Sequence, residues 1–409
     1  MSTEKLSKIL KDHVNDLKSR NVSKGTELVI SDVIRAKKNK GPRYFIEGYG
    51  KKEFLKMNSN SYLGLSLRKD MIKAEEKASK QFGVGPGAVR FISGTYGIHT
   101  ELENKLAKFH NKEAGMIFSS AYVTSMSVIV PLTTKETIII SDELNHNCII
   151  NGMKLSRPAG KAIYKHNDME DLDVKLKESI GKAKRLLVIT DGIFSMRGDN
   201  APLYKIVEIC GKYESEFEEG IITIVDDSHG VGAFGKTGRG TEEYTGAEVD
   251  VLIGTLGKAF GVNGGYVVSD EAILKYLRET SPMYIYSNPI TVSEAAAASK
   301  AIDIIDSPEG LKILEHLRNL TAKFRQGLKD AGYETLEGEH PVVPLMVRDT
   351  QLTSDIVAFL TENGIIATGL NYPVVPKGSE EIRFQIAGDH TEFDIDYALD
   401  VLKKFKEKK

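Results

Sequence analysis

The chain has 409 residues, 41 % hydrophobic and 27 % charged, which is ordinary for a soluble globular protein. That length allows two domains, or one large α/β unit with an appended lobe. A formal net charge of -2 argues against a broad nucleic-acid or anionic-membrane surface. Cys148 and Cys210 are the only cysteines, so no disulfide framework is readable and a reducing, cytoplasmic compartment is the default expectation. The segment Met1 to Lys5 is charged and lacks the apolar core of a signal peptide. No apolar stretch approaches the ~20 residues of a membrane span.

In chain order, the first twenty residues read as an amphipathic helix with Leu6, Ile9, Leu10, Val14 and Leu17 on one face. The basic stretch Arg35 to Pro42 reads as a solvated connector. Short β-rich segments around Tyr44 to Met57 follow, then a helix from about Asp70 that stops at Gly83. From there, apolar runs of strand type alternate with helical patterns: 115–119, 137–140, 186–190, 221–225, 251–254 and 266–268. Runs apolar on both faces predict a mainly parallel sheet covered by helices. Ligands of such sheets bind beyond the carboxyl ends of the strands. After about Ser281 the pattern becomes a long helical region, strands at 341–347, 364–367 and 382–386, and a closing helix carrying Ile395, Leu399 and Leu402. The expected division is therefore an N-terminal helix and arm (1–50), a large domain (51–285) and a smaller C-terminal α+β domain (286–409).

Lys258 lies among small residues in Gly254-Thr255-Leu256-Gly257-Lys258-Ala259-Phe260-Gly261, at the end of an apolar run. Space around an amine in low-dielectric surroundings favours the neutral form, the form that makes a Schiff base with a carbonyl. A second apolar run ends in Asp226-Asp227-Ser228-His229. A carboxylate there suits the protonated pyridine nitrogen of pyridoxal phosphate (PLP), and His229 suits the phenolate oxygen. A helix N-cap is the competing account of the same residues. Thr255 and the Ser119-Ser120-Ala121-Tyr122 turn are suited to a phosphate, or equally to ordinary turn and capping duties. His146 can stack on a flat ring or be a surface histidine. Arg383, within an alternating strand, can hold a substrate carboxylate or an internal partner. The nine histidines show no HExxH or CxxC spacing, so no metal site is expected. Neither a P-loop nor a GxSxG elbow is present.

Together these residues resemble the α-oxoamine synthases, PLP enzymes of fold type I (aspartate aminotransferase-like) that join an amino acid to an acyl-CoA. The likeness runs from about Phe54 to the C-terminus, through Asn58 to Leu65, Arg90 to Thr95 and Thr190 to Met196. Segments Ser141 to His146, Tyr286 to Asn288 and Tyr372 to Gly378 resemble the glycine C-acetyltransferase branch. That branch implies glycine plus acetyl-CoA giving 2-amino-3-ketobutyrate and CoA. The alternatives are an 8-amino-7-oxononanoate synthase, using alanine and a pimeloyl thioester with decarboxylation, or a serine palmitoyltransferase-like enzyme. The resemblance implies that Lys258 carries the cofactor as a Schiff base, Asp226 binds the pyridine nitrogen and His229 approaches the phenolate oxygen. It implies that His146 stacks on the ring, with Ser120, Ala121, Tyr122, Ser195 and Thr255 completing the shell. Arg383, with Asn60, is implied at the amino-acid carboxylate. Ser287 and Asn288 are implied at the cofactor of a second subunit, hence a homodimer with shared sites. The chain departs from the family pattern at Arg197, where aspartate is usual, and from the acetyltransferase branch after Tyr122, where Val123-Thr124-Ser125 replaces Asp-Ala-Asn. Its loop at Phe260 to Gly265 is shorter than that of the acetyltransferases and nearer the form in other members, and Asp389 stands where small residues are usual.

Overall fold

The apolar runs assemble because each strand is buried on both faces. In the computed structural model, Thr137–Asp142 and Val251–Thr255 are buried at every position. Alternation then divides their side chains between two cores. Ile138, Ile140, Leu186 and Val188 pack on one face, and Ile139, Leu187 and Ile189 on the other. The structure describes residues 3–20, 23, 27–372 and 374–408. Met1 and Ser2 of the expected N-terminal segment, and Pro373 of the Tyr372 to Gly378 segment, lie outside the described residues.

The seven strands are ordered 114–118, 265–269, 251–255, 221–226, 185–191, 137–142 and 160–164. Gly265–Ser269 is antiparallel to both neighbours, and the pairs from Val251–Thr255 onward are parallel. This is the expected mainly parallel sheet of PLP fold type I. The edge strand Gly160–Tyr164 was not foreseen; it exposes alternate residues, which weakens its apolar signal. Helices Ala121–Leu132, Asn147–Leu155 and Glu271–Thr280 cover one face. Gly97–Phe109, Met169–Ser179, Leu203–Tyr213 and Val292–Ile305 cover the other. Val292–Ile305 also packs on Lys69–Phe82 and Gly97–Phe109.

The C-terminal part holds a four-stranded antiparallel sheet ordered 334–335, 342–346, 381–385 and 368–370. Phe384 meets Phe324 of the helix Pro308–Asp330 edge-on at 5.1 Å, and Glu392–Glu407 buries Ile395, Leu399 and Leu402. The predicted strand at 364–367 is shorter in the structure, and a separate short strand follows it. Ile365–Ile366 leaves this sheet to pair in parallel with Leu55–Lys56, and Thr368–Leu370 joins it. A buried ion pair between Arg43 and Asp394, 2.5 Å, ties the early chain to the last helix. Gly41 also donates to Asp394 at 2.8 Å. The N-terminal helix Thr3–Ser19 buries none of its residues. Among the described residues, no helix is long and apolar enough to cross a membrane.

Candidate active site

Strand register brings the chemistry together. Asp191 and Asp226 are paired residues at the carboxyl ends of adjacent parallel strands, and Val251–Thr255 ends beside them just before Lys258. A cavity of about 280 Å³ opens there, lined among others by Tyr122, His146, Asp226, His229, Thr255 and Lys258. Glycines bring the backbones close. A Cβ on Gly254 would meet the Tyr266 ring at 2.2 Å, and one on Gly265 would meet Ala121 N at 2.4 Å. The start of Ala121–Leu132 can therefore sit against the sheet at the cavity wall. The first N–H groups of a helix have no intrahelical acceptor, which makes Ala121 and Tyr122 an anion-binding edge.

Lys258 is half-buried at the cavity, and desolvation lowers its ammonium pKa to about 8, with Asp226 and Asp191 opposing that shift. Desolvation disfavours the charged form, so the neutral amine is far more populated near physiological pH than in an ordinary lysine. Asp226 is held by three donors: Ser125 Oγ at 2.8 Å, Ser228 N at 3.1 Å and the Cys148 thiol at 3.5 Å. Its neighbour Asp227 turns away. Asp227 accepts the backbone N–H and hydroxyl of Thr241, both at 2.6 Å, and burial pushes it up to about 7. Of the two adjacent carboxylates, one faces the cavity and the other ties down the following loop.

His229 meets Tyr62 Oη through Nδ1 at 2.6 Å, and its carbonyl accepts from His340 Nε2 at 2.9 Å. Burial, then Lys258, lowers its pKa well below the ordinary value, so the imidazole is neutral. His146 caps Asn147–Leu155, its Nδ1 accepting from Cys148 N at 3.3 Å, and burial lowers its pKa as well. Its backbone N–H donates to Asp191 at 3.0 Å. Burial, then the charge of Asp226, raises the Asp191 carboxyl well above the carboxylate range. Asp191 thus holds the loop carrying His146 without adding a full second charge beside Asp226.

Among the expected site residues, Ala121, Tyr122, His146, Ser195, Asp226, His229, Thr255 and Lys258 share this cavity. Ser120 does not line it; its hydroxyl accepts from Val123 N at 3.3 Å as a helix cap. Thr255 lines the cavity while its hydroxyl accepts from Gly257 N at 3.1 Å. Asn60 and Arg383 do not line the cavity; Arg383 Nη2 donates to Asn60 Oδ1 at 2.8 Å, and Asn60 accepts from Tyr62 Oη, the partner of His229, at 3.3 Å. Ser287 and Asn288 stand away from the cavity of their own chain. Four contributors had no role assigned from the sequence: Tyr62, Ser125, Cys148 and Asp191. Asp191 carried the same signal as Asp226, a carboxylate ending an apolar run. The other three approach from distant segments and leave no local pattern.

The residues fit PLP. Ser228 Oγ is buried on the cavity wall without a hydrogen-bond partner. An amine, a held carboxylate and a neutral imidazole converge with it on a space of cofactor-ring scale. Among the described residues no group of three or more His, Cys, Asp or Glu side chains stands together to hold a metal ion.

Residues 52–402 match the family Aminotransferase class I and II, and the chain belongs to it. It is 41 % identical over 360 residues to the 8-amino-7-oxononanoate synthase of Thermosipho melanesiensis, covering 87 % of this chain and 89 % of that one. It is 36 % identical over 395 residues to the mitochondrial 2-amino-3-ketobutyrate coenzyme A ligase of Bos taurus, covering 96 % and 90 %. A solved SPT structure with PLP superposes with a TM-score of 0.88 at 27 % identity, covering 98 % of each chain. Within that family the chain is a PLP-dependent α-oxoamine synthase, an acyltransferase of the EC 2.3.1 type.

Proposed function

We propose that this enzyme is of the 8-amino-7-oxononanoate synthase type, condensing alanine with a pimeloyl thioester and releasing CO2 and the free thiol. The observation that carries this reading is the higher identity to the Thermosipho enzyme, 41 % against 36 % for the ketobutyrate ligase. It displaces the glycine and acetyl-CoA reading favoured by the sequence segments, which stays as the second reading because the bovine ligase covers 96 % of this chain.

When bound, PLP supplies an electron sink for the Cα carbanion. The side chains supply the rest. Lys258, its amine held near neutrality, anchors the cofactor and then removes and returns the Cα proton. Asp226, fixed by Ser125 and Ser228, would hold the pyridine nitrogen. His229, steadied by Tyr62, would approach the phenolate oxygen, and His146 would stack on the ring. The N–H groups of Ala121 and Tyr122, with Ser195 and Thr255, would complete the shell, while Ser120 caps the helix that presents those N–H groups. Arg383 and Asn60 orient the amino-acid carboxylate.

Ser287 and Asn288 reach the site of a second copy, making the working unit a homodimer in the cytoplasm. Their partial exposure away from their own cavity supports this. The division at residues 50 and 285 belongs to the same reading, with the antiparallel sheet lying wholly beyond residue 333.

The test is thiol release with alanine, glycine and serine, each against pimeloyl-CoA and acetyl-CoA. Alanine with pimeloyl-CoA should give the highest kcat/KM, with stoichiometric CO2. Turnover of glycine with acetyl-CoA alone, without CO2, overturns the reading in favour of the second.

A further inference from the structure

A second cavity, of about 610 Å³, adjoins the first, with Ser195 lining both. Its walls include the apolar side chains of Phe194, Met196, Met346 and Val375. Such a lining suits a methylene chain. Two features are foreign to a purely aliphatic tunnel.

The first is Glu381, on the same strand face as Arg383 and only 4 % exposed, whose Oε1 is buried with no hydrogen-bond partner. A buried polar atom left unpaired is costly, and in native proteins it commonly awaits a ligand. Burial pushes this carboxyl up to about 7, with Arg383 and then Arg197 pulling it back, so it carries a proton to donate for much of the time near neutrality.

The second is Arg197, which stands where the family pattern has an aspartate. Its Nε donates to Asp199 at 2.9 Å, while its two Nη groups have no protein acceptor among the described residues. The other charged groups on the cavity are occupied. Arg348 holds Glu334 and donates to the Gly378 carbonyl at 3.3 Å, and Glu143 accepts from His166 N at 2.9 Å. The cavity thus offers an apolar passage, one carboxyl and one half-free guanidinium.

We infer that this second cavity is the acyl-chain pocket and that Glu381 and Arg197 select chains ending in a carboxylate, so the preferred acyl donor is an ω-carboxyacyl thioester. A carboxylate accepts at once from the Glu381 hydroxyl and the free Arg197 N–H groups. An ammonium terminus is rejected by Arg197, and a methyl terminus leaves Glu381 unpaired. The inference rests on the acyl-transfer reading above and deepens it.

Calorimetric binding to the PLP-loaded enzyme compares pimeloyl-CoA with heptanoyl-CoA, which has the same chain length and a methyl end. Wild type should bind pimeloyl-CoA about 10- to 100-fold more tightly, the range for a hydrogen bond to a charged group. Glu381→Leu and the surface change Arg197→Met should each bring the ratio toward one, while Glu381→Gln, which keeps a donor, should largely preserve it. A wild-type ratio near one, or an unchanged ratio in both Glu381→Leu and Arg197→Met, overturns the inference. Thiol release is recorded in parallel. Selective binding without turnover of any donor would overturn the acyl-transfer reading while the pocket assignment stands.

Discussion

The two sheets deliver polar side chains to the site in different ways. The large parallel sheet uses strand ends: Asp191 and Asp226 emerge side by side as register partners, and Thr255 ends the next strand two residues beyond Ile253, the partner of Asp226. Each is then fixed by hydrogen bonds from its surroundings. The small antiparallel sheet uses a strand face, where period two places Glu381 and Arg383 on one side of Glu381–Gln385 while Ile382 and Phe384 face its core. Strand ends give a rigid, fully partnered constellation suited to cofactor chemistry. A strand face gives a row of separately replaceable groups, suited to holding whichever substrate arrives.

The contrast predicts that changes at strand ends abolish the chemistry, whereas changes on the strand face alter substrate preference. Lys258→Ala should have the largest effect, removing the cofactor absorbance near ~420 nm and lowering turnover by about 10⁴-fold or more. A retained band in that variant would contradict the role of Lys258. Arg383→Ala should raise KM for the amino acid by roughly 10- to 100-fold with a smaller effect on kcat, as expected for loss of a charge-assisted bond to a carboxylate. A fall in kcat alone would move Arg383 into the chemical step.

Tyr62→Phe should have the smallest effect of the three, about 1–2 kcal/mol of stability from a buried hydrogen bond, read by denaturant unfolding. It should also shift the pH dependence of the cofactor spectrum through His229. The pH sign can be worked out for Lys258 itself. Its pKa in the folded cofactor-free protein, about 8, lies below the ordinary lysine value of 10.5. Between those two values the unfolded chain binds more protons, so the cofactor-free protein gains stability as pH rises through that window. Lys258→Met should lack that gain in thermal unfolding scans.

Much of the large sheet was legible because its strands are buried on both faces, and continuous Val, Ile and Leu runs are a strong local signal. Lys258 and Asp226 were legible for a related reason: a charge ending such a run has few structural excuses. The edge strand Gly160–Tyr164 and the two-residue strand Ile365–Ile366 were not, because each is defined by its neighbour rather than by its own pattern. Glu381 carried no signal, since a glutamate in an alternating strand reads as solvent-facing until its surroundings are known.

The amino-acid sequence by itself determined the alternation of strands and helices, the lysine and aspartate at strand ends, and through them the cofactor and family. Those follow from local periodicity and from the cost of burying a charge without a purpose. Only the tertiary structure decided which of Asp226 and Asp227 faces the cavity, that Tyr62 steadies His229, and that Glu381 is buried without a partner beside a second cavity. Those outcomes depend on segments as far apart as residues 62 and 229 meeting in space. Such contacts are set by the packing of whole layers, which no local window of residues encodes.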